Sequence, residues 1–401
     1  MTDFASELKT AREAARLSQQ DLADHAGVDV RTIRNLEHGT VRPSADTLAR
    51  LRSVPAVGLP DPASSSQPDL VPNAYLVPHH DAIGLARDMT QAFAAPHGAH
   101  VEQTWLYLDA ASAADWLALS SSGPYAQAFR DSMPLAELAR VVSGCVGSKG
   151  LDVHALGAGD GKSETRLVQY LCDRRQVVDL RLCLLDISPP LVHAAYRHAA
   201  DAVEPRGVAC FALVGNFLDL RRIPVLSYRP ACSPRERLYT MLGCTWQNLT
   251  DGPAFLRQLG DVANAGDLLA LDVRLARAPA GDVAAITAAE PVLTQGPPPS
   301  CHEWLSGPIR RYCEGYQAIT FRAELLPRGL PPGSYEINLL ADVTMRPGRG
   351  ERRTYCVLRG KSYDPAQLAT ALEPLGWRTL QSWPYGLGER PDHGLVLLQR
   401  M

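Results

Sequence analysis

The chain has no apolar run of roughly 18 residues or more, so no single-helix membrane span is written in it. Its nine cysteines include no Cys-x-x-Cys pair, which argues against a zinc ribbon or a thioredoxin-type redox pair. Charge of one sign is missing as well. Forty Lys and Arg meet 43 Asp and Glu for a net charge of −3, so bulk charge directs the protein to neither nucleic acid nor a lipid surface. No internal repeat is visible, which removes solenoids and propellers. Asp3, Glu7 and Lys9 do not make a signal-peptide profile, and the scattered thiols fit a reducing compartment. The expectation is a cytoplasmic protein without a membrane partner. Cys301, His302 and Cys313 have none of the usual metal-ligand spacings, so no metal is expected.

What is present is a globular composition, 46% hydrophobic and 21% charged, long enough for two or three domains. The most informative segment is 151–162. Leu151 to Leu156 reads as a strand, Gly157-Ala158-Gly159-Asp160-Gly161 as a turn, and Ser163 to Leu171 as a helix. A second strand, Leu180 to Leu185, ends at Asp186, with Ile187 after it. A glycine loop paired with a downstream acid holds an adenosine-containing ligand over the carboxyl ends of parallel strands. The spacing is Gly-x-Gly-x-Gly, not the dinucleotide fingerprint. Leu156 stands where a phosphate loop needs its first glycine, which sets aside a nucleotide triphosphatase.

Later segments favour S-adenosylmethionine (SAM) as the cofactor. Asp186 can accept from both ribose hydroxyls. Leu213 to Phe217 reads as a third strand, with Asn216 to meet the adenine amino group and Phe217 to stack on the base. Leu238 to Leu242 is a fourth strand running into Gly243, and Leu268 to Leu275 is a fifth. Helical stretches at Leu191–Ala202 and Pro253–Val262 alternate with these strands, as in a parallel sheet covered on both faces. Strands near Thr354–Leu358 and Leu395–Gln399 would close the sheet with an antiparallel edge. The expected fold is α/β, a Rossmann-like sheet of the class I SAM-methyltransferase kind with a helical cap, plus a small all-α helix-turn-helix domain.

The segment Leu242-Gly243-Cys244-Thr245-Trp246-Gln247-Asn248-Leu249, with Phe255-Leu256 and Gly266-Asp267-Leu268-Leu269, resembles the histidine-specific methyltransferases of ergothioneine formation. The likeness spans roughly residues 100–400. It implies that Gly157, Gly159 and Asp186 contact SAM, and the loop and strand ends add Ala158, Asp160, Gly161, Ile187, Asn216, Phe217, Leu242 and Gly243 as cofactor-binding candidates. Asn248 matches the family asparagine that holds the substrate amine or carboxylate and is the candidate catalytic residue, and Trp246 beside it is a candidate substrate wall. The family's late imidazole clamp has no match in Val357 to Tyr363, and its paired cap tyrosines are not evident around Trp105, Tyr107, Trp116 and Tyr125. Cofactor and chemistry therefore carry over, and histidine as substrate does not.

Residues 3–52 read as four or five short helices. Ser18 caps Gln19–His25, Gly27 stops it, and Asp29 caps Val30–His38. Helix, turn and helix in this order make a helix-turn-helix. The string from Leu17 to Pro43 resembles the Cro/C1-type (XRE) repressors. By that resemblance the second helix would enter the major groove, with Arg31, Thr32, Arg34 and Asn35 at base edges and Gln19 at the backbone or a base. Eight basic and eight acidic side chains in the first sixty residues leave no basic footprint, so protein contact stays open beside DNA. A homodimer is the default for such modules.

The expected division is 1–54 helix-turn-helix, 55–73 linker, 74–148 helical cap and 149–401 methyltransferase, with an insertion at about 281–343. Cap helices are read at Asp81–Phe93, Ala110–Leu119 and Leu135–Val142. The activity expected is N-methylation of a small-molecule or peptide acceptor. A regulator that senses SAM or a metabolite through a silent domain is the competing reading. DNA methylation is disfavoured, because Gly243-Cys244-Thr245-Trp246 stands where those enzymes carry their Pro-Pro-aromatic motif.

Overall fold

The computed structural model describes residues 4–38, 40, 47, 50, 51, 54, 74–76, 82–94, 101–147, 149–174, 177, 179–223, 235–327, 331–346, 352–387 and 390–401. The chain forms two compact units, Met1–Val71 and Pro72–Met401.

The first unit contains α1 (Phe4–Ala14), α2 (Gln19–Ala26) and α3 (Val30–Glu37). Ser18 and Asp21 form a reciprocal capping box at the start of α2, which satisfies two end N–H groups. Gly27 closes α2 at φ 63°, a left-handed conformation that a side chain disfavours. The Asp29 carboxylate caps α3 by accepting from Arg31 N. Leu8, Leu22, Ile33, Leu36 and Leu51 form the core. The expected helix 45–52 is described only at Thr47, Arg50 and Leu51, all helical, and the expected linker lies outside the described residues.

The second unit carries β1 (Ala74–Leu76), α4 (Ala82–Ala94), α5 (Ala110–Ser120), α6 (Leu135–Val146), β2 (Gly150–Leu156), α7 (Lys162–Asp173), β3 (Leu180–Asp186), α8 (Pro189–Val203), β4 (Ala209–Val214), β5 (Arg235–Met241), α9 (Gly252–Val262) and β6 (Leu268–Leu275). After them come α10 (Val283–Ala289), α11 (His302–Tyr312), β7 (Tyr316–Leu326), β8 (Tyr335–Met345), β9 (Arg352–Tyr363), α12 (Pro365–Leu372), β10 (Trp377–Tyr385) and β11 (His393–Arg400).

Strands β1 to β6 are parallel in the order β1-β4-β3-β2-β5-β6. β11 pairs antiparallel with β6, and β10 with β11. The chain thus leaves β2 toward β3 on one side and returns to β5 on the other, so the turn after β2 sits at a topological switch point. The sheet is apolar on both faces. Leu167, Val192 and Leu138 cover one, and Phe255, Leu256 and Leu368 the other.

Two expectations need correction. The closing antiparallel edge is β10 and β11. Thr354–Leu358 belongs instead to β9, in an antiparallel β7-β8-β9 extension that joins the main sheet through Arg274–Ser362 and Leu275–Tyr363. The third strand ends at Val214, so Asn216 and Phe217 lie in the following turn. The insertion at 281–343 includes β7 and β8 of that extension as well as helices.

Candidate functional site

A cleft of about 420 Å³ opens above the carboxyl ends of β2, β3, β4 and β5. Gly157, Ala158, Gly159, Asp160, Asp186, Ile187, Asn216, Phe217, Leu242, Gly243 and Asn248 all line it. Gly161 and Trp246 do not. A Cβ at Gly161 would lie 2.8 Å from Ala195 Cβ, so this glycine, at φ 68°, lets α8 approach the loop. Trp246 is buried in the core beneath the cleft, its ring against Gly252 and 6.4 Å from that of Tyr363.

The turn after β2 is built to be approached. Gly157 has φ 77°, and a Cβ there would meet Thr245 Cγ2 at 3.0 Å and Phe217 at 3.2 Å. Any larger residue would fill the cradle. Asp186 Oδ2 accepts from Gly159 N at 2.9 Å and Oδ1 accepts from Ser188 N at 2.9 Å. These bonds fix the carboxylate at the cleft and leave further lone pairs on both oxygens. Burial pushes the Asp186 carboxyl up, and the two N–H donors oppose that. Asn216 Oδ1 accepts from Leu218 N at 2.9 Å. Phe217 packs edge-on to Phe255, with centroids 5.9 Å apart.

The cap closes the other side. Asp160 Oδ2 accepts from Arg130 Nη2 at 2.9 Å and Ser120 Oγ at 3.1 Å, and Lys162 Nζ lies 3.1 Å away. Tyr107, Trp116, Tyr125, Phe129 and Trp304 form an aromatic wall with successive centroids 4.5–5.6 Å apart. Burial drives both tyrosine hydroxyls upward, so they stay protonated. Trp304 Nε1 donates to Leu106 O at 3.1 Å, which ties α11 to the cap.

The floor follows β5. Cys244 has φ 67°, unusual for a residue with a side chain. Its N–H donates to Asp272 Oδ2 at 2.9 Å, and Tyr385 donates to Asp272 Oδ1 at 2.6 Å. Cys244 Sγ lies 3.6 Å from His393 Nδ1. Cys244, Asp272 and His393 are the one group among the described residues close enough to share a metal ion, and their polar atoms already serve one another. Next along the chain, Gln247 Oε1 and Asn248 Oδ1 are buried without a hydrogen-bond partner, as is Arg359 Nε, all in residues that line the cleft. Lys361 Nζ donates to Leu249 O and to Thr250 O, at 3.0 Å for the latter, and so holds this turn against β9.

Glu164 lines the cleft fully buried, and burial pushes its carboxyl up to about 8. Sequence reasoning missed Glu164, Arg130 and Arg359 as cleft residues and gave no role to Trp116, Tyr125 or Trp304. A Glu three residues past a helix-starting glycine is a signal that could have marked the first.

In the first unit, Arg31 and Arg34 are exposed on α3, and Thr32 and Asn35 are half-buried. Gln19 Nε2 donates to Glu37 Oε2 at 2.8 Å, and Arg12 Nε donates to Glu37 Oε1 at 2.6 Å. The Arg12 bond and charge hold the Glu37 carboxyl low against the opposing effect of burial. Gln19 is therefore engaged within the unit.

Residues 8–61 match the helix-turn-helix family model HTH_3. No curated protein matches the chain. Among solved structures, it is similar to the CcbJ methyltransferase of Streptomyces caelestis at 14% identity, over 67% of this chain and 89% of that one, with a TM-score of 0.34. It is similar to the 1,6-didemethyltoxoflavin-N1-methyltransferase of Burkholderia thailandensis at 11% identity, over 67% and 76%, TM-score 0.36. A third is the magnesium protoporphyrin IX methyltransferase of Synechocystis PCC 6803, at 12% identity over 75% and 100%, TM-score 0.39. Likenesses this distant say nothing about substrate. No helix among the described residues is long and apolar enough to cross a membrane.

Proposed function

We propose that the second unit is a SAM-dependent methyltransferase acting on a nitrogen of an amino acid, a peptide or a specialised metabolite. The observation that carries this reading is Asp186, a buried carboxylate at the end of β3, hydrogen-bonded to the glycine turn and facing a cleft. Asn216 follows β4 on one side of it and the Gly157 cradle follows β2 on the other, which matches base, ribose and tail of one adenosine ligand in that order.

SAM, when bound, supplies an electrophilic methyl group on a sulfonium. The chain's own task is to bind, align and exclude water. Gln247 Oε1 and Asn248 Oδ1 are acceptors without a donor, which suits the N–H groups of an amine. The aromatic wall gives a dry, low-dielectric side. The acceptor nitrogen must lose a proton. Glu164, a cleft carboxyl that burial pushes up to about 8, is protonated in most chains at neutral pH and takes that proton only in its ionised fraction.

Calorimetric titration with SAM and S-adenosylhomocysteine tests the cofactor reading, followed by an acceptor screen from free amines to peptides. Micromolar binding of both supports it. Binding of neither leaves the glycine turn as scaffold.

For the first unit, we infer DNA binding through α3, with Arg31, Thr32, Arg34 and Asn35 at base edges. The full chain would select a common motif from random duplexes, and Arg34→Ala would lose it. No enriched motif would point to protein contact instead. The match over residues 8–61 also supports the sensing-regulator reading, which methyl turnover on any amine overturns.

A further inference from the structure

We propose that Trp116, on the cap helix α5, binds the carboxylate of the cofactor's amino-acid tail through its indole N–H. The inference rests on the SAM reading above. Trp116 Nε1 is buried and has no hydrogen-bond partner. An indole N–H is a donor only, so burying it unpaired costs free energy unless a ligand atom accepts.

Its placement selects which ligand atom. An ideal Cβ on Gly159 would lie 3.5 Å from Trp116 Nε1, so the indole nitrogen sits beside the glycine turn, at the cleft that both residues line. The sheet order is β4-β3-β2. With the base near Asn216 after β4 and the ribose at Asp186 ending β3, the tail runs over the turn after β2, toward Trp116. The carboxylate is the one anionic group of SAM and its strongest acceptor.

Charge favours the same end. Arg130 and Lys162 both pair with Asp160 beside the glycine turn, two cations to one anion. The indole is held before any ligand arrives. Tyr107 and Tyr125 meet it edge-on at 5.5 and 5.4 Å, and Trp304 lies at 5.2 Å. Asp109 caps α5, and Arg311 of α11 lies 3.4 Å from both Asp109 and Asp115.

The test compares two ligands that share a nucleoside. S-adenosylhomocysteine carries the amino-acid tail and 5′-methylthioadenosine lacks it. Calorimetry on the full chain should show Trp116→Phe weakening S-adenosylhomocysteine about tenfold while methylthioadenosine changes less than about twofold. Unchanged S-adenosylhomocysteine affinity, or equal loss for both ligands, overturns the assignment. If the wild-type chain binds neither ligand, the cofactor reading itself fails and this inference falls with it. Should Trp116→Phe not fold, indole 15N–1H spectra of the wild-type chain, which has six tryptophans, decide the matter. One indole resonance should move downfield with S-adenosylhomocysteine and stay in place with methylthioadenosine. No such movement overturns the proposal.

Discussion

Arg130 donates to Asp160 at 2.9 Å, and this one ion pair joins the glycine turn after β2 to the cap. Both side chains are mostly buried, at 17% and 13% exposure. Removing Asp160 takes the ion-pair partner from Arg130, while removing Arg130 leaves Asp160 with Lys162 and Ser120 alone. Arg130→Ala and Asp160→Ala should each destabilise the chain by about 2 kcal/mol, with a coupling of about 1 kcal/mol in the double-mutant cycle. Urea melts measure this. Additive losses would mean that the two groups do not sense each other.

Two buried groups shape the pH dependence in opposite senses. Burial pushes His154 down to about 4 and Glu164 up to about 8. The fold prefers neutral His154, so that contribution is present above about 6.5 and is lost as pH falls toward 4. It also prefers protonated Glu164, so that contribution is complete below about 4.5 and is lost as pH rises through 8. Between 4.5 and 6.5 the two oppose each other. From 6.5 to 8 Glu164 acts alone of the two, with a loss on the order of a few kcal/mol. Glu164→Gln should flatten the fall in Tm over that range, and an unchanged slope would place the titration elsewhere.

Both ring nitrogens of His154 are buried without partners, and the ring stacks on Tyr239 at 5.5 Å. An apolar residue of similar size removes that desolvation. His154→Leu should raise stability by about 1 kcal/mol at pH 7. A lower Tm would show that the imidazole is satisfied in solution.

Asp186→Ala removes the acceptor of Gly159 N and the expected acceptor of the ribose hydroxyls. SAM affinity should fall by about 2 kcal/mol or more. Unchanged affinity in a folded Asp186→Ala chain would remove Asp186 from the site.

Much of the fold was legible because it is local. The strand–glycine–helix run at Leu151 to Leu171 and the caps at Ser18 and Asp29 depend on neighbours in sequence. The glycine-turn side of the cleft was legible for a related reason, since its residues follow strand ends in a parallel sheet. The opposite wall was not. Trp116, Trp304 and Arg359 come from α5, α11 and β9, and nothing local marks them as neighbours. Trp246 shows the converse. Beside Asn248 in sequence, it turns inward because Gly252 leaves room for its ring and the core accepts its area.

The β7-β8-β9 extension touches the main sheet through two residue pairs, yet it brings Leu358 and Arg359 to the cleft. Leu358 and Arg359 can change without touching the packing of β2 to β6, but Tyr363 of β9 cannot, because it packs in the core with Met241, Leu271 and Val273. On the proposed reading, acceptor choice would drift through Leu358 and Arg359 while the glycine-turn half of the cleft stays as it is. One wall of the cleft is thereby free to vary while the sheet that carries the other is held fixed by its own core.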